Sequence, residues 1–310
     1  MRIVFFGTGD FAVPALEVVS EHIALVVTQP DRPSGRGMKL QPSPVKLTAN
    51  KLGLPVDTPD KARDNEFIER IRNIQPDFHL VAAYGQILPL ALLDTARHGG
   101  INIHGSILPK YRGAAPIQRS ILNGDTETGV TLIQMDKGMD TGDIIRIVKT
   151  PIDRFETYGE LQHRLSLMGA DLVREMIPLL QTGLYPRMPQ SSEGASIAPK
   201  VRKEEAELRF EQSAQEAYNR FRAFTPSPGA YFTTCFGRVR LSNVSLLPAS
   251  SSLLRQEPGT ILPPNLVAFK DGWLELIEVQ PEGKKRMSGR DFFNGVRLHT
   301  GDSLIHGPSR

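Results

Sequence analysis

The chain has 310 residues, 40% of them hydrophobic and 23% charged. At roughly 100–200 residues per domain that length predicts two domains, and the composition excludes wholesale disorder, coiled coil and collagen. Net charge is +3, with the surplus late in the chain: residues 200–310 hold 16 Lys and Arg against 12 Asp and Glu, and the rest 21 against 22.

Ile3 to Phe6 reads as a buried first strand, not a secretory leader, because Gly7 and Asp10 follow where a leader would stay apolar. Phe11, Ala15, Leu16 and Val19 then fall at helical spacing behind Pro14. Ile23 to Thr28 predicts the second strand, and Ser43-Pro44 opens a helix that Gly53 stops. Phe67, Ile68, Ile71 and Ile74 give one apolar helix face over Asp64 to Ile74. Phe78 to Ala83 and Ile101 to Ile103 continue the sheet, followed by a helix over Ala115 to Leu122. Val130 to Met135 and Ile144 to Val148 read as an edge hairpin, and Tyr158 to Leu180 as a long helix. This alternation predicts an α/β domain over 1–184, built on a mostly parallel sheet.

Residues 185–203 are rich in Pro, Ser and charge and read as a linker. A helix over Ala214 to Phe224 precedes five short strand-like runs, from Ala230 to Val279, with Lys270-Asp271-Gly272 as hairpin turn chemistry. Residues 204–310 are therefore expected to form a small antiparallel β-barrel of the oligonucleotide-binding kind. No apolar run reaches the roughly 18 residues of a membrane span, so no membrane partner is expected. The single cysteine, Cys235, cannot close an internal disulfide, which fits a reducing compartment.

Four segments carry candidate chemistry. Gly7-Thr8-Gly9-Asp10-Phe11-Ala12 has the outline of a dinucleotide loop but lacks the acidic strand end that follows such loops; a tight structural turn is the competing reading. Asn102 and His104, two apart at the end of a strand, send an amide and an imidazole from one face. Either they flank a carbonyl oxygen that gains charge in a reaction, or they are a satisfied pair capping a loop. Met135 to Asp143 holds three acids and two glycines, ordinary turn formers that lack a calcium-loop pattern, and no metal is expected there or among the histidines. Gln29 to Lys46 is long for a strand-to-helix connection, and Arg32, Arg36, Lys39 and Lys46 face only Asp31, a charge balance suited to phosphates.

Taken together and in order, six motifs carry a resemblance: Gln29-Pro30-Asp31-Arg32-Pro33, Ala83 to Pro89, Asn102-Ile103-His104, Ser106 to Ile117, Met135 to Asp143 and Gln280 to Met287. The chain resembles the methionyl-tRNA formyltransferase family over nearly its whole length. The resemblance implies a doubly wound formyltransferase-like domain, a tRNA-binding second domain, and a cytoplasmic bacterial or organellar-matrix setting. It implies transfer of a formyl group from 10-formyltetrahydrofolate to the α-amine of methionyl initiator tRNA, with no metal and no obligatory protein partner. Its catalytic set falls on Asn102, His104 and Asp140. Its folate-binding segments fall on Tyr84, Gly85, Gln86, Ile87 and Leu88 and on Ser106, Ile107, Leu108 and Pro109. Its basic loop falls on Arg32, Arg36, Lys39 and Lys46, and Lys200, Arg202 and Lys203 make the end of the linker more basic than is usual in the family. Where that family has Gly-Thr-Pro this chain has Gly7-Thr8-Gly9, and where it has Asn-Pro-Trp-Pro-Gly-Ala this chain has Thr225 to Ala230 without the tryptophan. Transfer to a sugar nucleotide or another small amine, hydrolysis of 10-formyltetrahydrofolate, and RNA binding without catalysis are the alternatives.

Overall fold

The run Ile3–Gly7 is apolar without alternation, and in the computed structural model of the chain it forms β1, buried on both faces of a parallel sheet. The structure describes residues 1–34, 39–247 and 256–308. On one side of β1 lie β2 (Ile23–Val27) and β3 (Val56–Asp57), and on the other β4 (Phe78–Ala82) and β5 (Gly100–His104), all parallel. The expected hairpin closes this edge as antiparallel β6 (Glu127–Gln134) and β7 (Ile144–Pro151), giving the order β7-β6-β5-β4-β1-β2-β3. Winding therefore reverses between β1 and β4, and open α/β sheets bind ligands beyond the carboxyl ends of their strands at such a reversal.

The helices of this half are α1 (Val13–Val18), α2 (Pro44–Lys51), α3 (Asn65–Ile74), α4 (Leu90–Leu93), α5 (Pro116–Leu122) and α6 (Tyr158–Thr182). α2 starts where Ser43 Oγ accepts the Lys46 N–H at 3.0 Å with Pro44 in the first turn. α3 buries Phe67, Ile68 and Ile71 against Phe6, Val27, Val81 and Tyr84. Gly7 permits the first turn, since a Cβ there would lie 2.7 Å from the Phe5 ring and 2.8 Å from Ala12 Cβ. Nothing lies within 4 Å of a Cβ at Gly9. The Gly7-Thr8-Gly9 turn is a packing device, with Thr8 Oγ1 donating to the Tyr84 carbonyl at 2.8 Å.

In the second half a six-stranded antiparallel sheet joins β8 (Tyr231–Thr234), β9 (Gly237–Leu246), β10 (Ile261–Leu262), β11 (Leu266–Ala268), β12 (Trp273–Pro281) and β13 (Met287–Ser288). Its order is β8-β9-β12-β11-β10 with β13 on β12, and among the described residues the outer strands β8 and β10 do not pair. It is a small β-sheet domain whose core, including Phe210, Phe221, Phe232, Phe269, Phe292 and Phe293, is shared with α7 (Ala214–Ala223) and α8 (Gly289–Gly295). The sequence reading did not anticipate α8: it is seven residues long, contains two glycines, and is announced only by the Ser288 cap, whose Oγ accepts the Asp291 N–H.

The chain divides into two units in a way that differs from a cut at 185–203. Unit one comprises 1–116, 127–151 and 161–200; unit two comprises 117–126, 152–160 and 201–310. Within unit two, Arg119 forks onto the Glu205 carboxylate at 2.6 and 3.2 Å, and Arg222 Nη1 donates to the Asp153 and Glu156 carbonyls, both at 3.2 Å. Within unit one, the expected linker is docked: Ile197–Ala198 pairs in parallel with Arg112–Gly113, and Met188 bridges Ile144. Proline and serine in that stretch exclude helix but leave the backbone free to pair.

His79, on β4, is fully buried; its Nε2 meets the Leu92 carbonyl at 3.0 Å, and burial pushes its pKa down to about 4. The unfolded chain binds a proton near pH 6.5 that the folded chain refuses, so this residue's stabilisation is present above pH 6.5 and is lost as pH falls towards 4. We expect unfolding stability to drop by about 2–3 kcal/mol between pH 7 and pH 4 on this account. Urea titrations of the parent protein and His79→Gln should show a flatter pH dependence in the variant.

Candidate active site

The Asn-x-His pair lies where expected, at the carboxyl end of β5. β6 pairs antiparallel with β5, so the 135–143 turn starts near the opposite end, where the Met135 N–H donates to the Gly100 carbonyl at 2.7 Å. The turn then folds back and carries Asp140 to both side chains. Asn102 Nδ2 donates to Asp140 Oδ1 at 3.0 Å, His104 Nδ1 lies 3.5 Å from Oδ2, and the Gly113 N–H donates to Oδ2 at 2.9 Å. Folding back requires glycine: a Cβ on Gly142 would sit 1.7 Å from the Gln134 carbonyl oxygen. Asp140 itself takes φ +55°, a left-handed conformation that aspartate tolerates better than most residues.

The hydrogen bonds also fix a tautomer. His104 Nε2 lies 2.9 Å from the Tyr111 carbonyl oxygen, which can only accept, so Nε2 carries hydrogen. Nδ1 then faces a carboxylate oxygen 3.5 Å away. His104 is buried while the Asp140 side chain keeps 15% of its surface exposed. Asn102 has two amide hydrogens, of which Asp140 takes one; the second has no acceptor among the described residues. The cluster thus sets an amide N–H donor on one oxygen of a carboxylate and an imidazole nitrogen beside the other.

The expected folate segments divide between support and surface. Tyr84 packs its ring edge-on to Phe6 at 5.3 Å, and burial raises its phenol pKa. Leu88 lies in the same core, and Leu108 packs on Ile133 and Ile144. Ser106 is fully buried and donates to the Lys110 carbonyl at 2.6 Å, while both ends of the Gln86 amide are taken by the Ala62 N–H and the Asp60 carbonyl. What faces outward is Ile87, 88% exposed, with Gly85 beside it and Ile107 and Pro109 half-buried. An exposed apolar side chain beside turning backbone, with positive φ at Ala83 and Gly85, fits a flat ring with polar edges.

Among the cations, Arg36 and the side chain of Lys39 lie outside the described residues. Their segment is flanked by a short antiparallel pair, Arg32–Ser34 with Lys39–Gln41. Arg32 is exposed and donates to Gln29 Oε1 at 2.9 Å. Lys46 is already paired with Asp31 at 2.8 Å, so the one acid of the insertion offsets that cation rather than the arm. Lys200, Arg202 and Lys203 are all exposed. Among the described residues no group of three His, Cys, Asp or Glu is placed to hold a metal, and no helix is long and apolar enough to cross a membrane.

Two site residues were missed from sequence. Gln190 Nε2 donates to the Asp140 and Gly142 carbonyls, both at 2.8 Å, and its Oε1 accepts from Arg112 Nε and Nη2 at 3.0 and 2.7 Å. Gln190 lies in the stretch read as linker, where a lone glutamine gives no signal.

Residues 1–177 match the family model described as formyl transferase, and residues 200–297 that of the formyl transferase C-terminal domain. The chain is 47% identical over 304 residues to a methionyl-tRNA formyltransferase of Xylella fastidiosa, covering 96% of this chain and 98% of the relative. It is 43% identical over 313 residues to that of Geobacter metallireducens, covering 99% of each. A solved N-formyltransferase of Helicobacter canadensis, in complex with folinic acid and dTDP-3-aminofucose, shares the fold, with a TM-score of 0.65 at 19% identity over 89% of this chain and 98% of that one.

Gly142→Ala is expected to lower the melting temperature by at least about 5 °C, because the clash is with backbone that cannot rotate away. Differential scanning calorimetry of the two proteins checks it.

Proposed function

The chain belongs to the methionyl-tRNA formyltransferase family, and we propose that Asn102, His104 and Asp140 are the residues with which it transfers a formyl group from 10-formyltetrahydrofolate to the α-amine of methionyl initiator tRNA. The observation that carries this assignment is the convergence of an amide, an imidazole and a main-chain N–H on the two oxygens of one carboxylate.

The folate supplies an activated formyl group when bound. The Ile87 side chain and the backbone around Gly85 and Ile107 offer its ring an apolar face and polar edges. The second amide hydrogen of Asn102 is directed to the carbonyl oxygen that gains negative charge as the amine nitrogen adds to the formyl carbon. The amine must shed a proton and the departing folate nitrogen must gain one. His104 Nδ1 and Asp140 Oδ2, 3.5 Å apart, are placed to take up the one and return the other without net change. The Tyr111 carbonyl keeps the imidazole from turning while this happens.

The tRNA interface is proposed on Arg32, Arg36, Lys39 and Lys46 and on Lys200, Arg202 and Lys203. Lys46 contributes least, being offset by Asp31. The reaction serves translation initiation, which places the protein in bacterial cytoplasm or an organellar matrix.

Asn102→Ala and His104→Ala should each fold, bind folate, and lose about 10²- to 10³-fold in turnover, the usual cost of one oxyanion donor. Labelled formyl transfer to charged initiator tRNA measures this, and near-parental rates in either variant would reject the assignment. Replacing Lys200, Arg202 and Lys203 together by Ala should weaken tRNA binding and reduce the slope of log affinity against log salt by about two to three, one unit for each phosphate no longer neutralised. Filter binding across a salt series reads both, and an unchanged slope removes these residues from the interface.

A further inference from the structure

We propose that Gln190 and Arg112 are a positioning pair that aims the Asp140 carboxylate, Gln190 acting by holding the main chain of the turn on which Asp140 sits. The inference rests on reading Asp140 as a member of the transfer site, and it assigns the 188–198 strip a part in the chemistry.

An aspartate at φ +55° occupies a left-handed conformation that L-residues rarely adopt, so ties from outside the turn help to hold it. Its carboxylate is held by Asn102 and Gly113, but those bonds fix only the side chain. The main chain is held by one amide group, Gln190 Nε2, which spans the carbonyls of Asp140 and Gly142 at 2.8 Å each. Two donated hydrogens on residues two apart clamp the peptide between them, and with it the direction in which the Asp140 side chain leaves.

The orientation of that amide is not arbitrary. An arginine side chain has only donors, so the Gln190 atom facing Arg112 Nε and Nη2 is the oxygen, and the NH₂ faces the two carbonyls. Arg112 thereby prevents the amide from flipping, which would set an oxygen against two carbonyl oxygens. Arg112 and Gln190 are both half-buried, so the pair is shielded in part from competing water.

The strip bearing Gln190 is itself anchored at both ends. Met188 exchanges two backbone bonds with Ile144, at 2.8 and 2.9 Å. Ser196 accepts the Tyr111 N–H on its hydroxyl at 2.9 Å and the Arg112 N–H on its carbonyl at 2.8 Å. Tyr111 is the residue whose carbonyl fixes His104, and Gly113 the one whose N–H holds Asp140 Oδ2. One strip therefore ties the turn carrying Asp140 to the segment carrying its partners, and the Gln190 side chain bonds both.

Gln190→Glu separates positioning from docking, because it keeps an acceptor for Arg112 and hence the anchored strip, but sets an acceptor oxygen against the two carbonyls. Gln190→Ala removes both bonds, and Arg112→Lys removes the fork. The readouts are steady-state formyl transfer to methionyl initiator tRNA and the NMR titration of the His104 imidazole, with melting temperature as a check on folding. We expect Gln190→Glu and Gln190→Ala to lose about 10- to 100-fold in kcat with KM for both substrates within about twofold, as for misplacement of a reacting group on the order of 1 Å. The His104 titration midpoint should move in both, and Gln190→Glu added to Asp140→Asn should move it no further. A midpoint unmoved in Gln190→Glu overturns the proposal whatever the rate, as does a second shift in the Asp140→Asn background. A parent protein that formylates no tRNA overturns the functional reading alone, since the titration still reports whether Gln190 reaches His104 through Asp140.

Discussion

The site depends on a single carboxylate satisfied from several places in the chain. Asp140 receives an amide from β5, a main-chain N–H from the segment after it, and the imidazole edge of His104. A carboxylate so surrounded by N–H groups is stable as an acceptor only if each donor stays in place, and each donor is fixed only because the acceptor is there. The arrangement is mutual, so the loops after β5 and β6 are ordered as one object rather than as two neighbouring loops.

The sheet makes that convergence possible. Parallel strands gather their carboxyl ends along one edge, and β5 presents Asn102 and His104 there. The antiparallel pair at the border would send its connecting turn away from this edge. Glycine at 142 allows the turn to double back over its own strand, within a distance that no side chain could tolerate. The geometry of the proposed site thus rests on a residue with no side chain as much as on the three that have one.

Strand and helix order in the first half was legible because buried parallel strands read as short apolar runs and the helices between them carry 3.6-residue periodicity, as at Phe67, Ile68 and Ile71. Asn102 and His104 could be paired from alternation along a strand, but the part played by Asp140 came only through resemblance, since an acid among turn formers carries no signal of its own. Burial could not be read at Tyr84 or Leu88: a tyrosine or leucine beside a ligand and one beneath it look alike in sequence. Gln190 and Arg112 were invisible because their meeting depends on where an aperiodic strip lies. Nothing in 117–126 or 152–160 announces partners that lie beyond residue 200.

That partition imposes an order on biosynthesis. The chain passes from one unit to the other at 116/117, 126/127, 151/152, 160/161 and 200/201. As the polypeptide leaves the ribosome, all of unit one has emerged by residue 200, yet two excursions belonging to its neighbour have emerged with it. Arg119 has to wait for Glu205, and the carbonyls of Asp153 and Glu156 for Arg222, before either excursion can settle. Vectorial synthesis therefore makes both excursions before the last third of the chain, which supplies their partners.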